Sequence, residues 1–106
     1  MPDLREADDA RLVAAYRAGD DAAFGRIFAR HHTALLRYAQ RMIANETVAE
    51  DVVQEAMLRA SRALRRDDRH MELKPWLYRL VRNCALDELS RVRTDSVELE
   101  LADAAG

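Results

Sequence analysis

Apolar residues recur at three- and four-residue steps along most of the chain, which is the spacing of one face of an α-helix. This pattern predicts four helices, over about residues 10–17, 21–44, 46–66 and 75–93. Residues 67–74 lack the pattern and are predicted to form a loop. From residue 94 onward we expect an acidic linker or frayed tail, although the alternation of Val97, Leu99 and Leu101 also allows a strand. The predicted fold class is all-α.

Polar residues at the helix ends set the expected boundaries. Asp8 and Asp9 are expected to cap the first helix and Asp20 the second, because a carboxylate accepts hydrogen bonds from free N–H groups at a helix start. Asn45 is a plausible stop or cap, and Pro75 suits the first turn of the fourth helix. The expected buried side of the fourth helix consists of Leu77, Leu80, Val81, Cys84 and Leu89.

Length and composition favour one small intracellular domain. The chain has 106 residues and one cysteine, which excludes an internal disulfide framework and fits a reducing cytosol. No apolar run approaches the roughly 20 residues that cross a bilayer, so we expect a cytoplasmic protein without a membrane partner. Cys84 lies on an apolar stripe and is expected to be a core residue.

Charge is distributed unevenly. Residues 59–93 hold 10 basic and 5 acidic residues, whereas residues 94–106 hold 4 acidic residues and no basic one. Such asymmetry indicates a charged partner, although a run of charge is also compatible with plain solvated surface.

The sequence argues against an enzyme and predicts no cofactor or metal. Its paired carboxylates are adjacent in sequence, so on a helix they point about 100° apart and do not converge. His31 and His32 are also adjacent, without a second histidine four residues away to complete a metal site. We find no glycine-rich phosphate loop and no matched partner for Cys84 as a nucleophile.

The fourth predicted helix carries a basic face. Arg79, Arg82, Asn83 and Ser90 follow helical spacing opposite the apolar side, and Arg66, Arg69 and Lys74 lie in or beside the preceding loop. Basic groups beside aromatic rings are typical of surfaces that bind nucleic acid. Trp76 and Tyr78 are suited to stacking on an unpaired base, but a core anchor for Trp76 and half-exposed packing for Tyr78 remain open.

The third predicted helix carries a different face. Asp51, Gln54, Glu55 and Leu58 form one patch at steps of three and four residues. An apolar residue beside acids and an amide favours a protein-binding surface, with a solvated helix face as the alternative.

Two blocks of residues resemble region two of extracytoplasmic-function (ECF) sigma factors, the dissociable initiation subunits of bacterial RNA polymerase. The blocks are AEDVVQE at residues 49–55 and WLYRLVRN at residues 76–83, followed by Ala85 and Asp87. Ala22, Ala23, Phe24 and Phe28 also fit, as does LRYA at residues 36–39. The resemblance covers residues 10–93, and its specificity lies in the joint order and spacing of these fragments.

The resemblance implies a compact bundle of four helices that docks on core RNA polymerase and binds promoter DNA. Asp51, Gln54, Glu55 and Leu58 would contact the clamp helices of the largest subunit, with Arg37 and Arg41 nearby. Loop residues 67–74, including His70, would recognise a base flipped from the −10 non-template strand. Arg79, Arg82 and Asn83 would meet the upstream edge of that element. An anti-sigma factor is a further possible partner.

The chain departs from the family pattern in three places. Leu77 follows Trp76 where primary sigma factors have a second aromatic residue, so we expect melting to depend on fewer stacking groups. Met71 and Leu73 occupy the stretch where many relatives place a phenylalanine. Residues 1–93 are expected to form the region-two domain, and nothing after residue 93 would form a second, −35-binding domain. We therefore expect a chain truncated after its first domain. The rival interpretation is a helical interaction adaptor or regulator that does not bind DNA.

Overall fold

The computed structural model of the chain describes the backbone of residues 4–105 and the side chains of residues 8–94. Within this range the chain forms four α-helices and no strand. They are α1 (Leu4–Arg17), α2 (Asp21–Met42), α3 (Glu46–Arg66) and α4 (Leu73–Ala105). The all-α prediction is confirmed, and α3 has the bounds that its apolar spacing predicted.

The turns between the first three helices are made by local hydrogen bonds. Gly19 adopts a φ of +110°, and Asp20 N–H donates to the carbonyl of Ala15, which closes the end of α1. The Asp20 carboxylate accepts a hydrogen bond from Ala22 N–H at 3.1 Å. The Asn45 side chain accepts one from Val48 N–H at 3.1 Å. Both residues are therefore N-caps, as predicted.

The predicted start of the first helix was wrong. Since α1 begins at Leu4, Asp8 and Asp9 lie inside the helix and cannot cap it. The Asp9 carboxylate is buried and instead contacts His31 and Arg30 on α2. A buried carboxylate requires such partners, because leaving it unpaired costs several kcal/mol.

The fourth helix is longer than predicted, because it continues past Arg93 to Ala105. The alternative of a strand from residue 94 is therefore wrong, whereas the role of residues 94–106 as a linker or tail and the domain boundary at 93 stay predictions. Leu89, predicted to be buried, is 42% exposed. Val48, near the start of α3, lies beside Glu88 and Arg91. Leu89 thus sits near the level where α3 begins, and α4 extends beyond it.

The core lies between the helices and is built from aliphatic side chains of α2, α3 and α4. Its largest fully buried members are Ile27, Leu35, Val53, Leu64, Leu77 and Val81. Cys84 is also buried, as predicted. The packed core holds α4 against α3 and α2 in one orientation, which fixes the opposite face of α4 toward solvent. No described helix is long and apolar enough to cross a membrane.

Candidate nucleic-acid interface and protein-docking face

The loop of residues 67–72 is held in place by one side chain of α1. The Arg17 guanidinium donates hydrogen bonds to the backbone carbonyls of Leu64 at 3.0 Å, Asp67 at 2.8 Å and Arg69 at 3.0 Å. The planar guanidinium suits this role because its donors point in fixed directions toward several acceptors. No sequence pattern predicts this contact, because Arg17 is distant from the loop along the chain.

A second set of contacts orders the start of the loop. The Asp67 carboxylate accepts hydrogen bonds from the backbone N–H of Arg69 at 2.9 Å and from its Nε at 2.7 Å. The side-chain bond from Arg69, followed by the backbone bond, lowers the pKa of Asp67. The same side-chain bond raises the pKa of Arg69. Arg69 remains 85% exposed despite this pair. Its guanidinium is therefore accessible to a phosphate, although Asp67 competes for it.

A cleft of about 680 Å³ opens between α1, this loop and the first turns of α4. Val13, Met71, Leu73 and Tyr78 provide apolar surface within it. The polar side chains at the cleft are Asp9, Arg17, His70, Glu72 and Lys74. Sites for small organic groups typically enclose about 300–1,000 Å³ and combine apolar walls with a few polar groups. The cleft is therefore of the right size and chemistry to hold a nucleobase.

Some of the predicted DNA-binding residues converge on this cleft and others do not. His70, Lys74 and Tyr78 line it, whereas Arg66 lies at a separate shallow groove beside Tyr16. The contribution of α1 to the cleft was not predicted. No local sequence signal distinguishes a residue that faces the core from one that faces a cleft beside it.

The basic face of α4 is accessible. Arg79, Arg82 and Asn83 are exposed, while Leu77 and Val81 on the opposite side are buried. These three polar residues project outward from a helix whose other side is fixed by the core. The arrangement suits contacts with phosphates and base edges of a strand lying along α4.

The two aromatic residues that begin α4 are both half-buried. Trp76 packs against the core cluster, which supports its role as an anchor without excluding an accessible edge. Tyr78 packs edge-on against Tyr38 of α2, with ring centroids 5.1 Å apart and an interplanar angle of 74°. Since Tyr78 also lines the cleft, its ring offers a partly accessible surface there.

The patch predicted on α3 is continuous and open to solvent. Asp51, Gln54 and Glu55 are exposed, and Leu58 is 50% exposed. An exposed leucine among acidic and amide groups is suited to a protein partner that supplies an apolar contact and hydrogen-bond donors. We call these four residues the α3 patch.

Arg59 connects the α3 patch to α4. Its guanidinium contacts Glu55 at 3.2 Å and Asp87 at 3.6 Å. Coulombic attraction to the thiolate form of Cys84, present only at high pH, and the hydrogen bond with Glu55 raise the pKa of Arg59. Burial in turn raises the pKa of the Cys84 thiol, which disfavours the thiolate form and hence nucleophilic reactivity.

Arg37 and Arg41 are exposed but turn away from α3. The edge of α2 that faces α3 is marked by His32, whose Nε2 lies 3.0 Å from the Glu50 carboxylate. At about 100° per residue, Arg41 lies about 180° and Arg37 about 140° around α2 from His32. The structure therefore does not bring these arginines to the α3 patch.

A buried polar contact between Asp9 of α1 and His31 of α2 was not predicted from the sequence. His31 Nε2 lies 3.1 Å from each carboxylate oxygen of Asp9. Arg30 contacts the same carboxylate at 3.1 Å and Asp8 at 3.5 Å. This cluster fixes α1 against α2 and so supports one wall of the cleft. Among the described residues, no group of three or more His, Cys, Asp or Glu side chains is arranged to hold a metal ion.

Comparison with known proteins gives consistent results. Residues 27–94 match the family described as sigma-70 region 2. The chain is 40% identical over 88 residues to the ECF RNA polymerase sigma factor SigM of Mycobacterium tuberculosis, covering 83% of this chain and 45% of that protein. It is 30% identical over 91 residues to the ECF RNA polymerase sigma factor SigW of Bacillus subtilis, covering 85% and 49%. The chain therefore spans about half the length of these relatives.

The fold is also similar to a solved structure. An NMR structure of an engineered region 2 of sigmaE in complex with GTAAAA matches with a TM-score of 0.72 and 30% identity, covering 85% of this chain and 93% of that one. The helical architecture, the family match and the relatives agree. The chain belongs to the sigma-70 region 2 family, and its resemblance within that family is to ECF sigma factors.

Proposed function

We propose that this chain docks on core RNA polymerase and holds the separated non-template strand of the −10 promoter element. The observation that carries the proposal is the coexistence of two exposed faces of different chemistry on one rigid helical body. Gln54 and Glu55 project from α3, while Arg79 and Arg82 project from α4. The chain would then act in the cytoplasm, where polymerase works, and would catalyse no covalent step.

The cleft between α1 and the loop is the proposed site for a base flipped out of the strand. A base edge is hidden in duplex DNA and becomes available for recognition only after unstacking, which costs a few kcal/mol. The apolar wall formed by Met71, Leu73 and Tyr78 would offset part of that cost by stacking and burial. His70 and Lys74 would supply polar contacts to the base or its phosphate. The structural relative in complex with GTAAAA supports a nucleic-acid ligand for this fold.

The face of α4 is the proposed contact for the strand that continues from the cleft. Arg79 and Arg82 would neutralise phosphates, and Asn83 would offer both a donor and an acceptor to a base edge. Binding of the open strand in preference to the duplex would shift the promoter toward its melted state. Arg69, freed from Asp67, would add a phosphate contact next to the cleft.

The α3 patch is the proposed contact for the polymerase. Leu58 would fill an apolar position in the partner, while Asp51, Gln54 and Glu55 would pair with donors around it. The relatives are named as sigma factors of RNA polymerase, which supports a polymerase partner for this chain. An anti-sigma factor that covered either face would inhibit the chain.

Two double variants test the proposal, and each serves as the control of the other. Arg79→Ala with Arg82→Ala should make the negative slope of log affinity against log salt less steep for a labelled single-stranded DNA pool. The expected change is about 1.4, because each lost phosphate contact contributes about 0.7. Association with core polymerase should be unchanged. Gln54→Ala with Glu55→Ala should weaken that association and leave the DNA slope unchanged.

The rival function is an interaction adaptor that uses only the α3 patch. It predicts that the Arg79 and Arg82 variant behaves as the wild-type chain in both assays. Circular dichroism must show that each variant keeps its helical content, since all four residues are exposed and outside the core. An unaltered DNA slope in the arginine variant would refute the DNA half of the proposal. Unaltered polymerase capture in the Gln54 and Glu55 variant would refute the docking half.

A further inference from the structure

The aromatic contact between Tyr38 and Tyr78 joins α2 to the proposed DNA surface. Tyr78 lines the cleft, and its ring meets that of Tyr38 at a centroid distance of 5.1 Å. Both tyrosines are half-buried. Tyr38 therefore lies next to the cleft although it belongs to a helix that contributes no side chain to the cleft wall.

Arg37 and Arg41 are neighbours of Tyr38 on α2. Arg41 follows Tyr38 by three residues, which places it about 60° from Tyr38 around the helix, and Arg37 is the preceding residue. Four residues separate the two arginines, or about 6 Å along the axis. Both side chains are exposed, and both lie more than a quarter turn from the edge of α2 that faces α3. They border the tyrosine pair and not the α3 patch.

We propose that Arg37 and Arg41 bind phosphates of the DNA strand whose base occupies the cleft. This inference rests on the proposed function and extends its DNA surface from α4 across the tyrosine pair onto α2. It also replaces the prediction from family resemblance that the two arginines serve polymerase docking. A guanidinium forms paired hydrogen bonds to phosphate oxygens and stays charged at all relevant pH values, so exposed arginines one turn apart suit neighbouring phosphates.

The chemistry of the surroundings supports a strand of nucleic acid at this position. On α4, Lys74 lies at the cleft and Arg82 is exposed one helical turn after Tyr78, so α4 places cations on either side of Tyr78. Rings flanked by cations match the sugar, base and phosphate of an unpaired strand. An acidic surface on the polymerase is the competing occupant, and the experiment distinguishes the two.

The test compares two variants with equal loss of charge. Arg37→Ala with Arg41→Ala is the test variant, and Arg11→Ala with Arg26→Ala is the control, because Arg11 and Arg26 are exposed on α1 and α2. Arg26 precedes Arg37 by eleven residues, or about 16 Å along α2. Each variant is titrated with a labelled single-stranded DNA pool across a range of salt and is assayed for association with core polymerase.

The test variant should make the negative slope of log DNA affinity against log salt less steep by about 1.4. At about 0.1 M salt this change corresponds to a roughly 25-fold loss of DNA affinity. Its polymerase association should equal that of the control. A DNA slope equal to that of the control overturns the inference, and weaker polymerase association with an unchanged slope assigns the two arginines to polymerase. Comparison with the Arg79 and Arg82 variant separates the two proposals. If the Arg79 and Arg82 variant has a less steep salt dependence and the Arg37 and Arg41 variant does not, only the role of Arg37 and Arg41 is refuted. If neither variant changes the salt dependence, the proposed DNA surface is refuted as a whole.

Discussion

Replacement of Arg17 by alanine should loosen the loop of residues 67–72 without disturbing the rest of the bundle. Arg17 donates three hydrogen bonds to backbone carbonyls, at 3.0, 2.8 and 3.0 Å. Those to Leu64 and Asp67 are partly buried, whereas the one to Arg69 is exposed and water replaces it readily. A hydrogen bond contributes about 1 kcal/mol net, so the two protected bonds give a loss of about 2 kcal/mol.

Chemical denaturation followed by circular dichroism measures this loss as a decrease in the free energy of unfolding. A loss of about 2 kcal/mol increases the ratio of unfolded to folded chain roughly 30-fold. Arg11→Ala is the matched control, since Arg11 lies exposed on the same helix and its loss should cost less than about 0.5 kcal/mol. Hydrogen exchange of the loop amides should accelerate only in the Arg17 variant.

The Arg17 variant should also bind single-stranded DNA less tightly while its association with polymerase persists. The reason is that the loop supplies one wall of the cleft, whereas the α3 patch is held by the core. Equal stability of the Arg17 and Arg11 variants, together with unchanged loop exchange, would refute the idea that this guanidinium holds the loop. Weakened polymerase association with intact DNA binding would show that the loop and the α3 patch were assigned to the wrong partners.

Three further predictions concern other contacts. Asp9→Ala should lower the free energy of unfolding by about 3 kcal/mol, because it leaves the buried His31 without its carboxylate partner, whereas Asp8→Ala should cost far less. Equal losses in a denaturant titration would contradict this. Gly19→Ala should lower the free energy of unfolding by about 1–2 kcal/mol through backbone strain alone, since φ is +110° and the added methyl meets no atom within 4 Å. Gly25→Ala, inside α2, should stabilise the chain. A neutral Gly19 variant would rule out the strain. An NMR titration of Asp67 should give a pKa below the ordinary carboxyl value of about 3.9. Its contact with Arg69 therefore persists at neutral pH and is lost as the pH falls through the lowered pKa. A midpoint at or above about 3.9 would contradict the pairing of Asp67 with Arg69.

Features that depend on neighbouring residues could be predicted from the sequence. The bounds of α3, the N-caps Asp20 and Asn45, and the outward direction of Arg79 and Arg82 all follow from spacing and local hydrogen bonding. Each of these is decided within one or two helical turns. The agreement arises because an amphipathic helix has only one way to bury its apolar side.

Features that depend on contacts between distant segments could not be predicted in the same way. Asp9 has the sequence context of a cap, yet its partner His31 is 22 residues away. Arg17 looks like an ordinary basic residue in a last helical turn, yet it holds a loop some fifty residues later. Leu89 fits the apolar spacing of α4, but its burial depends on where α3 begins. Pattern alone does not supply these distances.

In the proposed function, the cationic face of α4 binds the separated DNA strand while the α3 patch of the same small helical body docks on polymerase. The most direct measurement adds the chain to core RNA polymerase and sequences the DNA retained from a library of single strands randomised over the −10 segment. We expect the chain to be retained on polymerase and to enrich a −10-like non-template sequence above the level captured by polymerase alone. Stable association of the chain with polymerase and no enrichment of any sequence would contradict the claim.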